Sequence, residues 1–296
     1  MKVKGTLIGF TAILMWSLLA LLTAASGTMP PFQLSAITFA IGSLPGVLLL
    51  IARPKRLALL KQPAKVWLIG VGGLFGYHFL YFTALRNAPT VEASLIAYLW
   101  PLFIVVGSAL LPGERLRWYH VAGALGGLGG TFTIISRAGI AFDGAYLLGY
   151  GAAFLCAVTW SAYSLLTRRF EAVSTDVVTG FCLATSLLSL VCHLGLEVTV
   201  WPQSSTEWLA IVGLGLLPVG AAFYAWDFGV KSGDIQILGA ASYAAPLLST
   251  LILTLFGFAE PSLRIVLACL LITGGAVLAA KEMIFRSKAP KAVAAE

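Results

Sequence analysis

The sequence predicts an all-α integral membrane protein of ten transmembrane helices, built as two inverted repeats of five helices each. Three observations predict this fold class. The composition is strongly apolar, the basic residues are concentrated in alternate loops, and several residues recur about 145 positions further along the chain.

The composition indicates a protein that lies in lipid. Of the 296 residues, 59% are hydrophobic and only 10% are charged. Soluble domains carry about 25% charged residues, and a soluble fold of this size could not keep so much apolar surface away from water. In a bilayer, helices satisfy every backbone group internally, and each span takes about 20 apolar residues. The sequence therefore predicts a bundle of spanning helices with short loops.

Ten apolar segments, separated by Pro, Gly and charged residues, are long enough to cross a bilayer. The segment after the basic start Met1–Lys4 imitates a signal peptide, but its length favours a retained first helix. The predicted spans are residues 5–25, 32–52, 66–86, 92–111, 117–136, 144–167, 175–196, 207–229, 235–257 and 263–284.

The basic residues predict the orientation of these spans. With the N-terminus in the cytoplasm, 16 of the 19 Lys and Arg residues fall on the cytoplasmic side, and Arg86, Arg137 and Arg264 fall outside. Cytoplasmic loops of membrane proteins carry an excess of Lys and Arg, so both termini are predicted to be cytoplasmic. The net charge of +7 is then a consequence of topology, and nucleic acid is not expected as a partner.

The recurring residues indicate a duplicated unit. Two five-helix repeats are predicted over 1–137 and 138–285, followed by a cytoplasmic tail over 286–296. Because five is odd, the second copy enters the membrane from the opposite side, as in many transporters. The recurring residues are Tyr98 and Pro101 with Tyr243 and Pro246, Gly129-Gly130 with Gly274-Gly275, Trp16-Ser17 with Trp160-Ser161, Arg86 with Lys231, and Glu114 with Glu260.

Aromatic residues deep inside the spans predict the site for a solute. A Tyr hydroxyl or Trp N–H in mid-bilayer needs a partner, so these rings are expected to face the protein interior. They either line a substrate cavity or form a packed aromatic core, and the sequence leaves both alternatives open. The predicted lining residues are Trp16, Tyr77, His78, Tyr81, Tyr98, Trp100, Trp160, Tyr163 and Tyr243.

Few ionisable residues lie within the spans. Buried ionisable groups are costly, so His78, Glu92 and Asp227 are candidates for substrate contact or proton coupling. A hydrogen-bonded bundle histidine is the competing interpretation of His78, and helix-end stabilisation is that of Glu92 and Asp227. Weaker polar contacts are expected from Ser94 and Ser242. Pro101 and Pro246 occupy matching positions in the two repeats. We predict that they act in gating and do not merely kink their helices.

Small residues and missing motifs complete the sequence prediction. Pairs with GxxxG spacing, such as Gly5/Gly9, Gly72/Gly76 and Gly123/Gly127, predict close helix packing, or helices that rock at these contacts. The four cysteines lie in apolar runs without metal-ligand spacing, and no hydrolase, protease or phosphate-binding motif occurs. We therefore expect neither an enzyme, a metal site nor a cofactor. The absence of Lys or Arg from mid-span positions argues against a phosphorylated substrate.

One predicted hairpin contains Tyr81–Arg86 and Tyr98–Leu102, and it is followed by Glu114 and a pair of glycines. This pattern and its second copy resemble the drug/metabolite transporter superfamily. The resemblance is to its ten-helix members with two EamA-type repeats. The runs Tyr77–Phe82 and Val91–Ser94 are similar to YddG-type aromatic amino acid exporters.

The resemblance implies export of amino acids, aromatic ones in particular, from a bacterial inner membrane by alternating access. Two alternatives remain: an exporter of another metabolite or xenobiotic with the same fold, or a membrane scaffold or sensor without transport. Membrane lipids are the expected surroundings, and two fused halves are compatible with a monomer.

Overall fold

The computed structural model describes residues 2–136, 142–255 and 262–282, and every regular element within these ranges is helical. The helices are α1 (Lys2–Trp16), α2 (Leu19–Ala25), α3 (Pro31–Ala52), α4 (Ala64–Asn87), α5 (Thr90–Ala97), α6 (Trp100–Gly107), α7 (Trp118–Ile135), α8 (Leu147–Arg168), α9 (Val178–Leu196), α10 (Ser205–Leu216), α11 (Ala222–Ser232), α12 (Ile235–Ala241), α13 (Ala244–Leu255) and α14 (Leu263–Ala279).

Eight helical segments of the described ranges are long and apolar enough to cross a membrane, and α14 is a shorter apolar helix. This confirms the predicted class, an all-α integral membrane protein. The count of ten spans and the inversion of the halves remain predictions. Arg137, Glu260 and the tail over 286–296 lie outside the described residues, as does the predicted boundary between the repeats.

Several predicted spans are not continuous helices. The first is interrupted at Ser17-Leu18, the fourth at Tyr98-Leu99 and the ninth at Ser242-Tyr243. Between α10 and α11, residues Leu217–Ala221 form a π-helical turn that contains Pro218. Pro45, in contrast, lies inside an uninterrupted α-helix, α3. Interrupted helices of this kind expose backbone groups within the protein, where they are tolerated because water or side chains can satisfy them.

Glycines allow the closest helix contacts. A Cβ added to Gly123 in α7 would lie 2.4 Å from the carbonyl oxygen of Gly275 in α14, and one on Gly9 in α1 would lie 3.0 Å from Gly229. Both glycine pairs therefore hold two backbones together, as the small-residue spacing predicts. At Gly72 nothing lies within 4 Å, so this glycine does not contribute to helix packing.

Polar networks hold both ends of the bundle. At one end, the buried carboxylate of Glu197 accepts hydrogen bonds from the backbone N–H groups of Phe32 and Gln33, each at 3.1 Å. This carboxylate caps the positive end of α3 and also pairs with Arg86 at 2.7 Å. Glu197 directly follows α9, so its side chain joins the end of α9 to α3 and α4.

At the end that carries the N-terminus, four charged residues form a second network. Glu114 pairs with Arg168, while Lys2 lies 3.5 Å from Glu114 and 3.1 Å from Asp234. Arg168 also donates to the carbonyl oxygens of Val230 at 2.7 Å and Gly233 at 2.9 Å. This network joins helix ends from both predicted repeats.

Candidate functional site

Four tryptophans form the centre of the candidate site. Trp16 ends α1, Trp100 begins α6, Trp160 lies in α8 and Trp226 lies in α11. All six distances between their ring centroids fall between 5.1 and 6.2 Å. Two of the rings stand directly beside helix interruptions, so irregular backbone and aromatic faces meet at one place. We call this group the tryptophan cluster.

Three members of the tryptophan cluster, Trp16, Trp100 and Trp226, form hydrogen bonds with neighbouring segments. The indole N–H of Trp16 donates to the carbonyl oxygen of Pro218, 3.1 Å away in the π-helical turn. The indole N–H of Trp226 donates to Ser164 Oγ at 3.0 Å. Ser161 donates to the backbone carbonyl oxygen of Trp100 at 2.9 Å. The two indole bonds fix the rings of Trp16 and Trp226, and all three bonds satisfy groups that would be costly to leave unpaired in a membrane interior.

A second group of rings extends the cluster along α4. Tyr77 lies 5.4 Å from Trp160 and stacks on Tyr81 at 6.0 Å with an interplanar angle of 7°. The thiol of Cys156 faces the Tyr77 hydroxyl, and Ser94 faces that of Tyr81. The stacking confirms that Tyr77 and Tyr81 share one helix face, as their four-residue spacing predicts. Tyr98 lies near Tyr81 and is half-buried.

His78 is surrounded by rings. Its Nδ1 lies 2.7 Å from the carbonyl oxygen of Leu74, which can only accept, so Nδ1 carries the hydrogen. Phe39 lies 5.1 Å from the imidazole and stacks on Phe223 at 5.5 Å, while Phe223 in turn contacts Trp16 at 6.3 Å. His78 is therefore a polar group in an aromatic wall, with one nitrogen already bonded within α4.

Two predicted lining residues lie apart from the tryptophan cluster or at its margin. Tyr243 is fully buried in a separate apolar core formed with α7 and α14, and its ring covers Gly127. Tyr163 contacts Trp160 at 5.2 Å, but its ring packs over Gly73 and is 1% exposed. The structure therefore places Tyr163 at the edge of the cluster and Tyr243 in a packing position.

Three of the residues predicted for proton coupling or polar contact are buried. Asp227 is fully buried, pairs with Lys231 at 2.8 Å and accepts from Thr175 at 2.6 Å. Glu92 is buried in the first turn of α5, and Ser242 donates to the carbonyl oxygen of Leu238 at 2.7 Å.

The paired prolines follow helix interruptions. Pro101 is the second residue of α6, and Pro246 is the third residue of α13. Each therefore lies directly beyond a break that divides one predicted span. Proline is tolerated in the first turn of a helix because the N–H that it lacks has no partner within the helix there. This position makes the two prolines candidate hinges, and their predicted gating role stays a prediction.

The sequence prediction omitted three members of this site, Trp226, Phe223 and Phe39. The repeat spacing contains a signal for two of them. Position 226 lies 145 residues after Tyr81, and position 223 lies 145 residues after His78. The duplicated unit thus supplies an aromatic residue at matching positions in α4 and α11. No such signal exists for Phe39.

Among the described residues, no group of three His, Cys, Asp or Glu side chains could hold a metal ion. The site offers instead apolar ring faces, indole N–H groups, hydroxyl groups and one imidazole. Such a set can hold a flat organic molecule by ring contacts and orient it by a few hydrogen bonds.

Comparisons with known proteins identify the family of this chain. The model of the EamA-like transporter family matches twice, over residues 3–136 and 147–281. The aromatic amino acid exporter YddG of Ancylobacter novellus is 58% identical over 278 residues, which cover 93% of this chain and 96% of that protein. The exporter of the same name from Escherichia coli is 28% identical over 292 residues, covering 93% of this chain and 96% of the relative.

A solved crystal structure of a protein with 55% sequence identity matches with a TM-score of 0.92, covering 98% of this chain and all of that chain. The two family matches together span most of the sequence. The chain therefore belongs to the EamA-like transporter family.

Proposed function

We propose that this chain exports aromatic amino acids across the bacterial inner membrane, with the tryptophan cluster as the place where the substrate side chain binds. The observation that carries the proposal is the contact of four tryptophans at interrupted helices. Two relatives that cover nearly the whole chain are named aromatic amino acid exporters, which supports the same substrate class here.

The chemistry of the cluster suits an aromatic side chain. A substrate ring that replaces one contact between cluster rings forms new edge or stacked contacts of about 0.5–1.5 kcal/mol each. The indole N–H groups of Trp16 and Trp226 are already bonded, so these two residues present ring faces to a ligand. A flat, apolar side chain fits such walls, whereas a phosphorylated or strongly charged one would lose hydration without compensation.

The charged ends of the amino acid need polar groups close to these rings. Interrupted helices supply them in many transporters, because helix ends and unpaired backbone groups point into the central site. Here the break at Tyr98-Leu99 and the π-helical turn at Leu217–Ala221 lie beside Trp100 and Trp16. We infer that backbone groups at these breaks, together with Tyr77, His78 and Tyr81, hold the amino and carboxylate groups.

We propose that alternating access operates between two inverted five-helix repeats, over 1–137 and 138–285. The double match of the family model supports a duplication. The helix pairs support a two-fold relation between the halves: α4 packs along α8 as α11 packs along α1, which exchanges the roles of corresponding helices. Pro101 and Pro246, each directly after a helix break, are the proposed hinges.

In the described conformation the cluster rings contact one another, and the Glu114–Arg168 network joins the helix ends on the N-terminal side. We infer that a substrate enters by separating the rings and that this network opens when the site faces the cytoplasm, where we place both termini. Asp227 is a candidate for proton coupling only in a conformation in which its ion pair with Lys231 is broken. The chain is proposed to act as a monomer.

A transport assay with the purified protein reconstituted into liposomes tests the proposal. We expect saturable flux of labelled phenylalanine, with competition by tryptophan and tyrosine and little competition by glutamate. Flux equal to that of protein-free liposomes for all three aromatic amino acids would refute transport and favour a scaffold or sensor. Flux that an unrelated metabolite, and no aromatic amino acid, inhibits would reassign the substrate.

A further inference from the structure

The segment between α3 and α4 combines dense positive charge with exposed apolar side chains. From residue 53 to 65 it contains five basic residues and no acidic one, and Pro54–Leu60 form a 3₁₀ helix. The segment connects the ends of two spanning helices, so it lies at the level of the lipid headgroups. We call residues 53–65 the basic connector.

Most of the charge on the basic connector has no counterpart within the protein. Arg56 pairs with Asp176 at 2.9 Å, and Lys65 lies over the ring of Phe170 at 5.5 Å. Arg53, Lys55 and Lys61 are exposed and form no ion pair with any residue that the structure describes.

The contrast with other basic residues on the same face is clear. Lys2 lies between Glu114 and Asp234, and Lys231 pairs with buried Asp227. Arg168 is bonded to Glu114 and to backbone carbonyl oxygens. These three cations are neutralised by the fold. Lys4, Arg115 and Lys281 are exposed on this side as well, but they are far apart in the sequence, whereas Arg53, Lys55 and Lys61 lie within nine residues of one another.

Apolar side chains beside these cations indicate what that partner is. Leu57 is 49% exposed within the 3₁₀ helix, and Leu48 and Ile51 at the end of α3 are 63% and 67% exposed. A free anion would gain nothing from such neighbours. A phospholipid places its acyl chains against apolar residues and its phosphate against cations, so both features serve one ligand.

We propose that the basic connector is a binding site for anionic glycerophospholipid headgroups of the adjacent leaflet, centred on Arg53, Lys55 and Lys61. Clusters of four or more basic residues directly beyond a spanning helix attract anionic lipid through the sum of their charges. This inference does not depend on the transported substrate, and a failed transport assay would leave it standing.

Native mass spectrometry of the full-length protein in detergent, titrated with phosphatidylglycerol or phosphatidylethanolamine, tests the site. The test variant is Arg53→Gln with Lys55→Gln and Lys61→Gln. The control variant, Lys4→Gln with Arg115→Gln and Lys281→Gln, removes the same charge from exposed positions elsewhere on this side. We expect the ratio of phosphatidylglycerol-bound to free protein to fall by at least about tenfold in the test variant, and to stay near wild type in the control.

Equal losses in both variants would show a general charge effect and overturn the site, as would no loss in either. Preference for phosphatidylethanolamine over phosphatidylglycerol would also overturn it. Soluble glycerol phosphate serves as a third probe. If it displaced phosphatidylglycerol at millimolar concentration, the ligand would be a free phosphate ester and the lipid assignment would be wrong. Thermal unfolding followed by circular dichroism checks that both variants are folded.

Discussion

The ion pair between Glu114 and Arg168 is the contact whose weakening should open the N-terminal face of the bundle. The side chains of Glu114 and Arg168 are 8% and 18% exposed, so water screens their pair little. Lys2 is 53% exposed and lies 3.5 Å from Glu114, and an ion pair of that kind contributes little. The relevant change is therefore the bond between Glu114 and Arg168.

The substitution Glu114→Gln keeps the size of the side chain and one oxygen acceptor but removes the charge. Arg168 keeps its charge and can still donate to the amide oxygen, so the loss is that of the ion pair, which contributes up to about 1 kcal/mol when exposed and about 3–5 kcal/mol when buried. For this partly buried pair we take about 1.5 kcal/mol, which corresponds to about a tenfold change in an equilibrium constant. On the inference that this bond forms only while the face is closed, we expect about ten times more of the open state.

The native Cys156 reports this change. It is fully buried beside Tyr77, and replacing Cys182, Cys192 and Cys269 by alanine makes it the single reactive thiol. We expect a membrane-impermeant maleimide on the N-terminal side of oriented vesicles to label Cys156 about ten times faster after Glu114→Gln, in proportion to the open state.

The matched control is Glu171→Gln, the same change at an exposed residue that forms no ion pair within the described part of the chain. An unchanged labelling rate after Glu114→Gln would refute the assignment of this network as a closure. An equal increase in both variants would show that net charge, and not this ion pair, controls access.

Two further predictions concern affinity and stability. Ser164→Ala removes the hydrogen bond to the Trp226 indole, about 1 kcal/mol, and should raise the KM for phenylalanine flux about fivefold with unchanged expression; an unchanged KM would contradict a role for this anchor. Gly73→Ala would place a Cβ 2.4 Å from the Tyr163 ring and should lower stability by about 1–3 kcal/mol, measured as a lower Tm. The adjacent Gly72→Ala, with nothing within 4 Å, should leave Tm unchanged, and equal shifts would contradict the packing argument.

The sequence was sufficient to predict the membrane class and much of the cluster. Composition and loop charge determine where spans lie, because the cost of burying polar groups in lipid is large compared with other local preferences. Spacing also placed Tyr77 and Tyr81 on one helix face. Asp227 and Lys231 are four residues apart in one helix, a spacing that favours an ion pair, although the sequence analysis considers Asp227 alone.

Other features depend on contacts between distant segments. The break at Ser17-Leu18 contains neither Pro nor Gly, and the neighbouring Trp16 is held by the carbonyl oxygen of Pro218, 202 positions away. Conversely, α3 continues through Pro45, although proline lacks the N–H that the helix interior needs. Local propensity is a weak guide where the tertiary environment decides which backbone groups find partners.

Repeat symmetry also has limits as a guide to function. Tyr98 and Tyr243 occupy matching positions, yet Tyr243 is fully buried against Gly127 in the second core, while Tyr98 lies near Tyr81. Duplication preserves backbone positions, and the residues that pack around each copy have diverged. A matching position therefore predicts a similar place in the fold and not a shared contact with substrate.

The central claim, that an aromatic amino acid binds at the tryptophan cluster, is tested most directly by ligand protection of Cys156. The protein with Cys156 as its single cysteine is labelled with maleimide in liposomes at increasing concentrations of phenylalanine or tryptophan. The account predicts that both amino acids slow the labelling in a saturable way and that glutamate does not. Labelling rates independent of aromatic amino acids, in a preparation that transports them, would place the binding site elsewhere.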